Sequence, residues 1–118
     1  MGDSRFGNIM LLDFYGELLT DKQRECCDLH YNEDMSLSEI AEQLGISRQG
    51  VWDNIRRAQA AMEDMERKTG IIRRFDETRR ALASLRLRME ELAGMTEGRA
   101  QEIAAESALQ LRELMDKG

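Results

Sequence analysis

Six side chains between residues 48 and 57 have the types and spacing needed to contact a nucleic acid. They are Arg48, Gln49, Trp52, Asp53, Arg56 and Arg57. Arginine and glutamine form paired hydrogen bonds with guanine and adenine edges in the major groove. A carboxylate is repelled by phosphate, so Asp53 needs a cytosine amino group or a neighbouring arginine as its partner. These contacts require a helix that presents the side chains on one exposed side.

Residues 36–61 predict two helices joined by a tight turn. Ser36 and Glu39 form the S-x-x-E pattern of a capped helix start, and Gly45 can end that helix sharply. Ser47 is the N-cap candidate of a second helix that begins at the next residue. The inward positions at helical spacing are Ile40, Ala41, Leu44, Val51, Ile55 and Ala58. This pattern predicts a helix-turn-helix, whose second helix presents its first outward residues to the major groove.

A structural helical hairpin that contacts no nucleic acid has the same pattern, because a fold does not determine a function. Charge bears on this choice. The net charge of −6 counts against a simple nucleic-acid binder. However, residues 1–44 carry −7, residues 45–74 carry +3 and residues 75–118 carry −2. Positive charge therefore follows the second helix of the motif. So small an excess predicts that the non-specific affinity for DNA is weak and depends only slightly on salt.

The composition favours an all-α fold, because the chain has no proline and only 5% aromatic residues. The second helix of the motif is predicted to continue to Lys68 and to stop at Gly70. The resulting prediction is a helix-turn-helix domain over residues 1–72 and a helical extension over residues 73–118.

The extension carries a heptad-like apolar seam. Its positions are Phe75, Thr78, Leu82, Leu85, Met89 and Leu92. Gly94 is predicted to interrupt this helix, and a further helix restarts around Thr96. The apolar side of the further helix consists of Ile103, Ala104, Ser107, Leu111, Leu114 and Met115. These helices can pair as a hairpin, fold back on the N-terminal helices, or join two chains as a homodimer. The spacing of the apolar residues does not identify which of these surfaces covers the seam.

The sequence gives little support for a catalytic site or a metal-binding site. His30 is the one histidine, Cys26 and Cys27 are adjacent, and no glycine-rich phosphate loop occurs. We therefore expect no enzyme, no metal, no cofactor and no small-molecule substrate. No apolar run is long enough for a membrane span and no signal peptide is indicated, so we expect a cytoplasmic protein, in keeping with the unpaired cysteines.

Three segments carry a family resemblance: DFYGELLTDKQR at residues 13–24, SLSEIAE at residues 36–42 and ISRQGVWDNIRR at residues 46–57. The pattern L-T-x-x-Q-R followed by a helix-turn-helix resembles region 4 of bacterial sigma factors. Over about the first 72 residues, the chain more closely resembles the YlxM family of small bacterial cytoplasmic proteins.

The YlxM resemblance implies a sigma region 4-like fold and no catalytic residues. Members are encoded beside components of the signal recognition particle and are described as regulators or accessories of that protein-targeting pathway. The promoter-reading positions of a sigma factor correspond best to Arg48, Gln49 and Trp52. Trp52 and Asp53 stand where a promoter reader often has polar or basic groups.

Two functions follow from the residues and the resemblance together. The first is a regulator that binds DNA through the second helix of the motif, as a homodimer joined by its C-terminal helices. The second is an accessory that binds the RNA or a protein of the signal recognition particle and uses the motif as a scaffold.

Overall fold

The computed structural model describes residues 5–117, and none of these residues lies in a strand. The helices are α1 (Arg5–Tyr15), α2 (Asp21–Cys27), α3 (Leu37–Leu44), α4 (Arg48–Thr69), α5 (Ile71–Met95) and α6 (Gly98–Lys117). The predicted all-α fold is thus confirmed. The chain divides into two compact units, one that ends at Ile72 and one that begins at Arg73. No helix among residues 5–117 is long and apolar enough to cross a membrane.

The first unit has one hydrophobic core to which all of its helices contribute. Its buried apolar side chains are Leu11, Leu12, Tyr15, Leu19, Cys26, Cys27, Tyr31, Ile40, Val51, Ile55, Ala58, Met62 and Ile72. Among the residues predicted to face inward, Ile40, Val51 and Ile55 are almost completely buried. Ala41 and Leu44 are only half-buried and pack against the edge of this core.

A wider helical turn continues the second N-terminal helix. Helix α2 ends at Cys27, and a π-helical turn follows directly over Asp28–Asn32. This wider turn buries the Tyr31 ring. The Arg5 guanidinium donates to the Tyr31 carbonyl oxygen at 2.9 Å, which ties the start of α1 to the end of the π turn.

The long helix α4 ends as the sequence predicted. Gly70 follows its last residue with a φ of 63°, and the Gly70 amide donates to the Glu66 carbonyl oxygen. The Glu66 side chain makes a second connection, because its Oε1 accepts from the Tyr15 hydroxyl at 2.7 Å and from the Ile72 amide at 3.0 Å. The C-terminal end of α4 is therefore fastened to α1.

In the second unit, α5 and α6 form an antiparallel hairpin. Arg79 donates to the Met115 carbonyl oxygen at 2.9 Å, and Arg112 contacts the Glu90 carboxylate at 3.2 Å. The prediction that Gly94 interrupts the first helix was wrong, since α5 continues through Gly94 to Met95. A glycine inside a helix costs only about 1 kcal/mol relative to alanine, which neighbouring turns can offset.

Candidate nucleic-acid interface

Helix α3 starts at a reciprocal pair of hydrogen bonds. The Glu39 amide donates to Ser36 Oγ at 3.1 Å, and the Ser36 amide donates to Glu39 Oε1 at 3.0 Å. The hydrogen bonds from Ser36 hold the pKa of the Glu39 carboxyl below its ordinary value. Two amides that the helix itself cannot satisfy thus have partners at the start of the motif.

The turn between the two helices depends on Gly45. Its φ of 68° lies in the left-handed region, and its amide donates to the Ala41 carbonyl oxygen. The Ile46 amide donates to the same oxygen at 3.1 Å. Ser47 then caps α4, because its Oγ accepts from the Gly50 amide at 2.9 Å. The direction in which α4 leaves the turn is therefore determined by local hydrogen bonds.

Core packing decides which side of α4 faces outward. Val51, Ile55, Ala58 and Met62 are buried at helical spacing, so the opposite side of the helix is exposed. Of the six predicted contact residues, Arg48, Gln49, Trp52, Arg56 and Arg57 are exposed and Asp53 is half-buried.

The six residues form two parallel rows along α4. Arg48, Trp52 and Arg56 are four residues apart and make one row, and Gln49, Asp53 and Arg57 make the other, since residues four apart lie one above another on a helix. The first row is an aromatic ring between two cations. We refer to it as the arginine–tryptophan row.

Within the second row, Gln49 is held by Asp53. Gln49 Nε2 donates to Asp53 Oδ1 at 3.0 Å. An amide group has two N–H donors and one acceptor oxygen, so this bond leaves one donor and the oxygen of Gln49 available. Within the protein, the partner of Asp53 is thus a glutamine of its own helix and not a neighbouring arginine, and a contact with a cytosine amino group stays a prediction.

A shallow cleft adjoins the arginine–tryptophan row. Its volume is about 480 Å³, and Leu37, Arg48, Gln49 and Trp52 line it. Leu37 was missed at the level of sequence, because it was not considered among the inward positions of α3. The available signal was its spacing, which places it on one apolar stripe with Ile40, Ala41 and Leu44, and Leu37 packs against the edge of the core.

Positive charge on α4 differs between the two ends of the helix. Arg48, Arg56 and Arg57 form no ion pair with the residues that the structure describes. Towards the C-terminal end, Asp64 contacts Lys68 at 2.9 Å and Arg67 at 3.2 Å, and the Lys68 contact lowers the pKa of the Asp64 carboxyl. Cationic groups without acidic partners are thus concentrated in the half of α4 that follows the turn.

Comparison with known proteins places this arrangement in a family. A family model described as "Putative helix-turn-helix protein, YlxM / p13 like" matches residues 3–104. A UPF0122 protein of Acetivibrio thermocellus is 51% identical over 85 residues, which cover 71% of this chain and 73% of that protein. A UPF0122 protein of Bacillus cereus is 42% identical over 95 residues, which cover 80% of this chain and 86% of that protein. The extent of the family match and the identity of these relatives show that the chain belongs to the YlxM / p13-like family of helix-turn-helix proteins.

Proposed function

We propose that this protein is a non-enzymatic regulator that binds duplex DNA by placing the N-terminal half of α4 in the major groove. The observation that carries the proposal is the arginine–tryptophan row beside a positioned Gln49, on the exposed side of a helix capped for this geometry. In this arrangement Arg48 and Gln49 contact base edges, and Arg56 and Arg57 contact phosphates.

Asp53 has a positioning role in this proposal. The available donor and the available oxygen of Gln49 match the N7 acceptor and the amino group of adenine. Holding the amide at Asp53 before binding reduces the rotamer freedom that Gln49 would otherwise lose on contact. The carboxylate also repels phosphate, which weakens binding to DNA sites at which Gln49 forms no paired hydrogen bonds with a base.

Two further elements belong to the proposal. The protein acts as a homodimer through residues 73–118, because helix-turn-helix proteins commonly bind two half-sites related by a two-fold axis. It acts in the cytoplasm, where duplex DNA is accessible in a bacterium and where the buried free thiols of Cys26 and Cys27 remain reduced.

The test is binding to duplex DNA with a randomised central segment, followed by sequencing of the retained fraction. We expect enrichment of a defined sequence by the wild-type chain. Replacing Arg48 and Arg56 with alanine should abolish this enrichment, because Arg48 no longer contacts a base edge. It should also reduce the slope of log affinity against log salt by about 1, because Arg56 no longer displaces a counterion.

A matched control removes the same charge from the other end of the helix. Arg67→Ala with Lys68→Ala deletes two cations that Asp64 already contacts. This variant should keep the enriched sequence and most of the affinity. Equal losses in both variants would show that binding depends on total charge alone and would contradict the proposed interface.

One observation favours a second function, an accessory of the signal recognition particle that binds a basic protein. Five carboxylates line one groove of about 700 Å³ on the first unit, at Asp13, Glu17, Asp21, Glu25 and Asp28. Such a surface complements basic protein segments and repels nucleic acid. In that case, pull-down from native lysate should recover particle proteins despite nuclease, and Glu17→Lys with Glu25→Lys should abolish the recovery. Recovery that nuclease eliminates would contradict it.

A further inference from the structure

The hairpin of α5 and α6 buries very little of its own apolar surface. Among the described residues from Arg73 onward, the only buried apolar side chains are Ala104 and Ala108, which are 1% and 7% exposed. Two alanines supply a small fraction of the burial that stabilises a helical unit. Other apolar side chains of these helices must therefore gain a partner if the hairpin is to be stable.

The predicted seam of these helices is divided between two surfaces. Leu82, Met89 and Leu111 are half-buried, and they lie with Ala104 and Ala108 on the sides where the helices meet. In contrast, four members of the predicted stripes are between 43% and 58% exposed: Leu85, Leu92, Ile103 and Leu114.

Helix periodicity places these four side chains on one face of the hairpin. On α5, Leu85 and Leu92 each follow an inward residue by three positions, a rotation of about −60° at 100° per residue. On α6, Ile103 precedes the inward Ala104 by one position, and Leu114 follows the inward Leu111 by three positions. Both steps are rotations in the same sense as those on α5. In an antiparallel pair, rotation in the same sense on both helices leads to the same face. We refer to Leu85, Leu92, Ile103 and Leu114 as the leucine face.

The opposite face has a different character. Leu87 follows the half-buried Arg86 by one position, and Leu109 follows the buried Ala108 by one position. Both leucines are therefore rotated in the other sense and lie across from the leucine face. The ion pair between Glu90 and Arg112 lies on the same side as these two leucines. Polar cross-links and only two large apolar groups make this face the less suitable one for burial.

We propose that the leucine face binds the leucine face of a second copy of this chain, so that two hairpins form a four-helix bundle. The inference deepens the homodimer element of the proposed function by naming its surface. A two-fold axis parallel to the helices lies between the two faces. It places α5 of one copy over α6 of the other, and apolar groups from both copies fill the space between them.

Charge at the edge of the leucine face supports a second copy as the occupant. Arg88 is exposed at the outer edge of α5, and Glu106 and Glu113 are exposed at the outer edge of α6. None of the three forms an ion pair with another residue of the described chain. Because the cross-links between the helices place residue 88 level with the stretch between 106 and 113, the axis brings Arg88 of each copy between two carboxylates of the other.

The size of the face is sufficient for a dimer. A 20-residue helix is about 30 Å long, and two neighbouring helices are about 20 Å wide, so the face covers about 600 Å². Two such faces bury about 1,200 Å², which is the lower end of the range for stable interfaces. The expected dimer is therefore reversible and dependent on concentration.

The experiment measures the mass of the full-length protein by sedimentation equilibrium. We expect a dimer for the wild-type chain and a monomer for Leu85→Glu with Leu114→Glu, whose dissociation constant should rise roughly 100-fold or more. The control is Leu87→Glu with Leu109→Glu, which places the same substitutions at similarly exposed leucines of the same helices and should remain dimeric. Helicity by circular dichroism must be equal in both variants. A monomeric wild type, or dissociation of the control alone, would overturn the proposal.

A charge exchange tests the arrangement of the two copies. Arg88→Glu should weaken the dimer about 10-fold, because each copy then faces two like charges, and adding Glu106→Arg and Glu113→Arg should restore it. A combined variant as weak as the single one would overturn the pairing of α5 with α6. None of these measurements contains nucleic acid, so their failure is distinct from a failure of DNA binding, which the Arg48 and Arg56 variants report.

Discussion

Gln49 Nε2 donates to Asp53 Oδ1 at 3.0 Å, one helical turn along the proposed recognition surface. In the proposed complex, this pair explains how a carboxylate can occupy a surface that faces phosphate. We infer that Asp53 stabilises one orientation of the glutamine amide and also opposes indiscriminate binding to the phosphate backbone. Specificity and affinity should therefore respond in opposite directions when this carboxylate is removed.

We predict that Asp53→Ala increases affinity for random duplex DNA and decreases discrimination in favour of the enriched sequence about 10-fold. The first effect follows from loss of a negative charge near phosphate, and the second from loss of the Gln49 orientation, since a paired base contact contributes about 1–3 kcal/mol. The measurement is competition between the enriched and a scrambled duplex at several salt concentrations. Unchanged discrimination between the two duplexes would show that Asp53 does not contribute to sequence recognition.

Local signals made the motif predictable from the sequence, whereas contacts between distant segments could not be predicted from it. Ser36, Gly45 and Ser47 act on neighbouring amides, so their residue types indicate the helix ends directly. The division of the C-terminal seam depends on which side of each helix the other helix occupies, and residue spacing does not contain that information. For the same reason the spacing could not place Leu37 in the cleft, since its neighbour Trp52 belongs to another helix.

The turn of the motif gives a prediction about stability. Gly45→Ala should destabilise the first unit by about 1–2 kcal/mol, because its φ of 68° is unfavourable for a residue with Cβ. No neighbouring atom lies within 4 Å of the added Cβ, so the cost is conformational. Gly45→Asn should cost less, since asparagine tolerates this region. Urea unfolding followed by circular dichroism measures both variants.

Gly94 provides the opposite case and a control for this argument. It lies inside α5, and an added Cβ there meets open space. Gly94→Ala should stabilise the second unit by up to about 1 kcal/mol. If both alanine substitutions changed stability in the same direction, backbone conformation would not be the cause.

The link between α1 and α4 can be tested at the Tyr15 hydroxyl. Tyr15→Phe removes the group that donates to Glu66 Oε1 at 2.7 Å, and we expect a loss of about 1–3 kcal/mol because the acceptor is a carboxylate. Tyr31→Phe is the control, since its hydroxyl donates to Gln59 over 3.3 Å. This longer bond to a neutral amide should contribute about 1 kcal/mol or less. Equal effects would contradict a special role for the Glu66 contact.

Buried thiol and phenol groups predict a loss of stability at alkaline pH. Burial raises the pKa of Cys27 from 9.0 to about 12 and the pKa of Tyr31 from 10.0 to about 12. Above pH 9 the unfolded chain therefore releases protons that the folded chain retains. The free energy of unfolding should fall by about 1.4 kcal/mol per pH unit for each group that has begun to titrate.

Chemical denaturation at pH 8, 9, 10 and 11 measures this slope. Cys26→Ala with Cys27→Ala serves as the comparison, because burial raises the pKa of both thiols. This variant removes the thiol contribution and should leave a fall that starts only near the ordinary pKa of tyrosine, 10.0. A wild-type stability that stays constant through this interval would show that the thiol is accessible to solvent. In that case, a thiol reagent should also modify Cys27 in the native protein.

Trp52 is the only tryptophan in the chain, so intrinsic fluorescence reports directly on the arginine–tryptophan row. Its side chain is 44% exposed, and we expect its emission to be quenched when DNA covers the row. The quench should be saturable with the enriched duplex. Raising the salt concentration should lower the apparent affinity with a log–log slope of about −2 for the two cation–phosphate contacts of Arg56 and Arg57. Arg48→Ala with Arg56→Ala should eliminate the quench, whereas Arg67→Ala with Lys68→Ala should preserve it. When α4 lies in the groove, the Trp52 ring must lose part of its contact with water. DNA binding that is detected by mobility shift without any change in Trp52 emission would therefore place the contact elsewhere on the molecule.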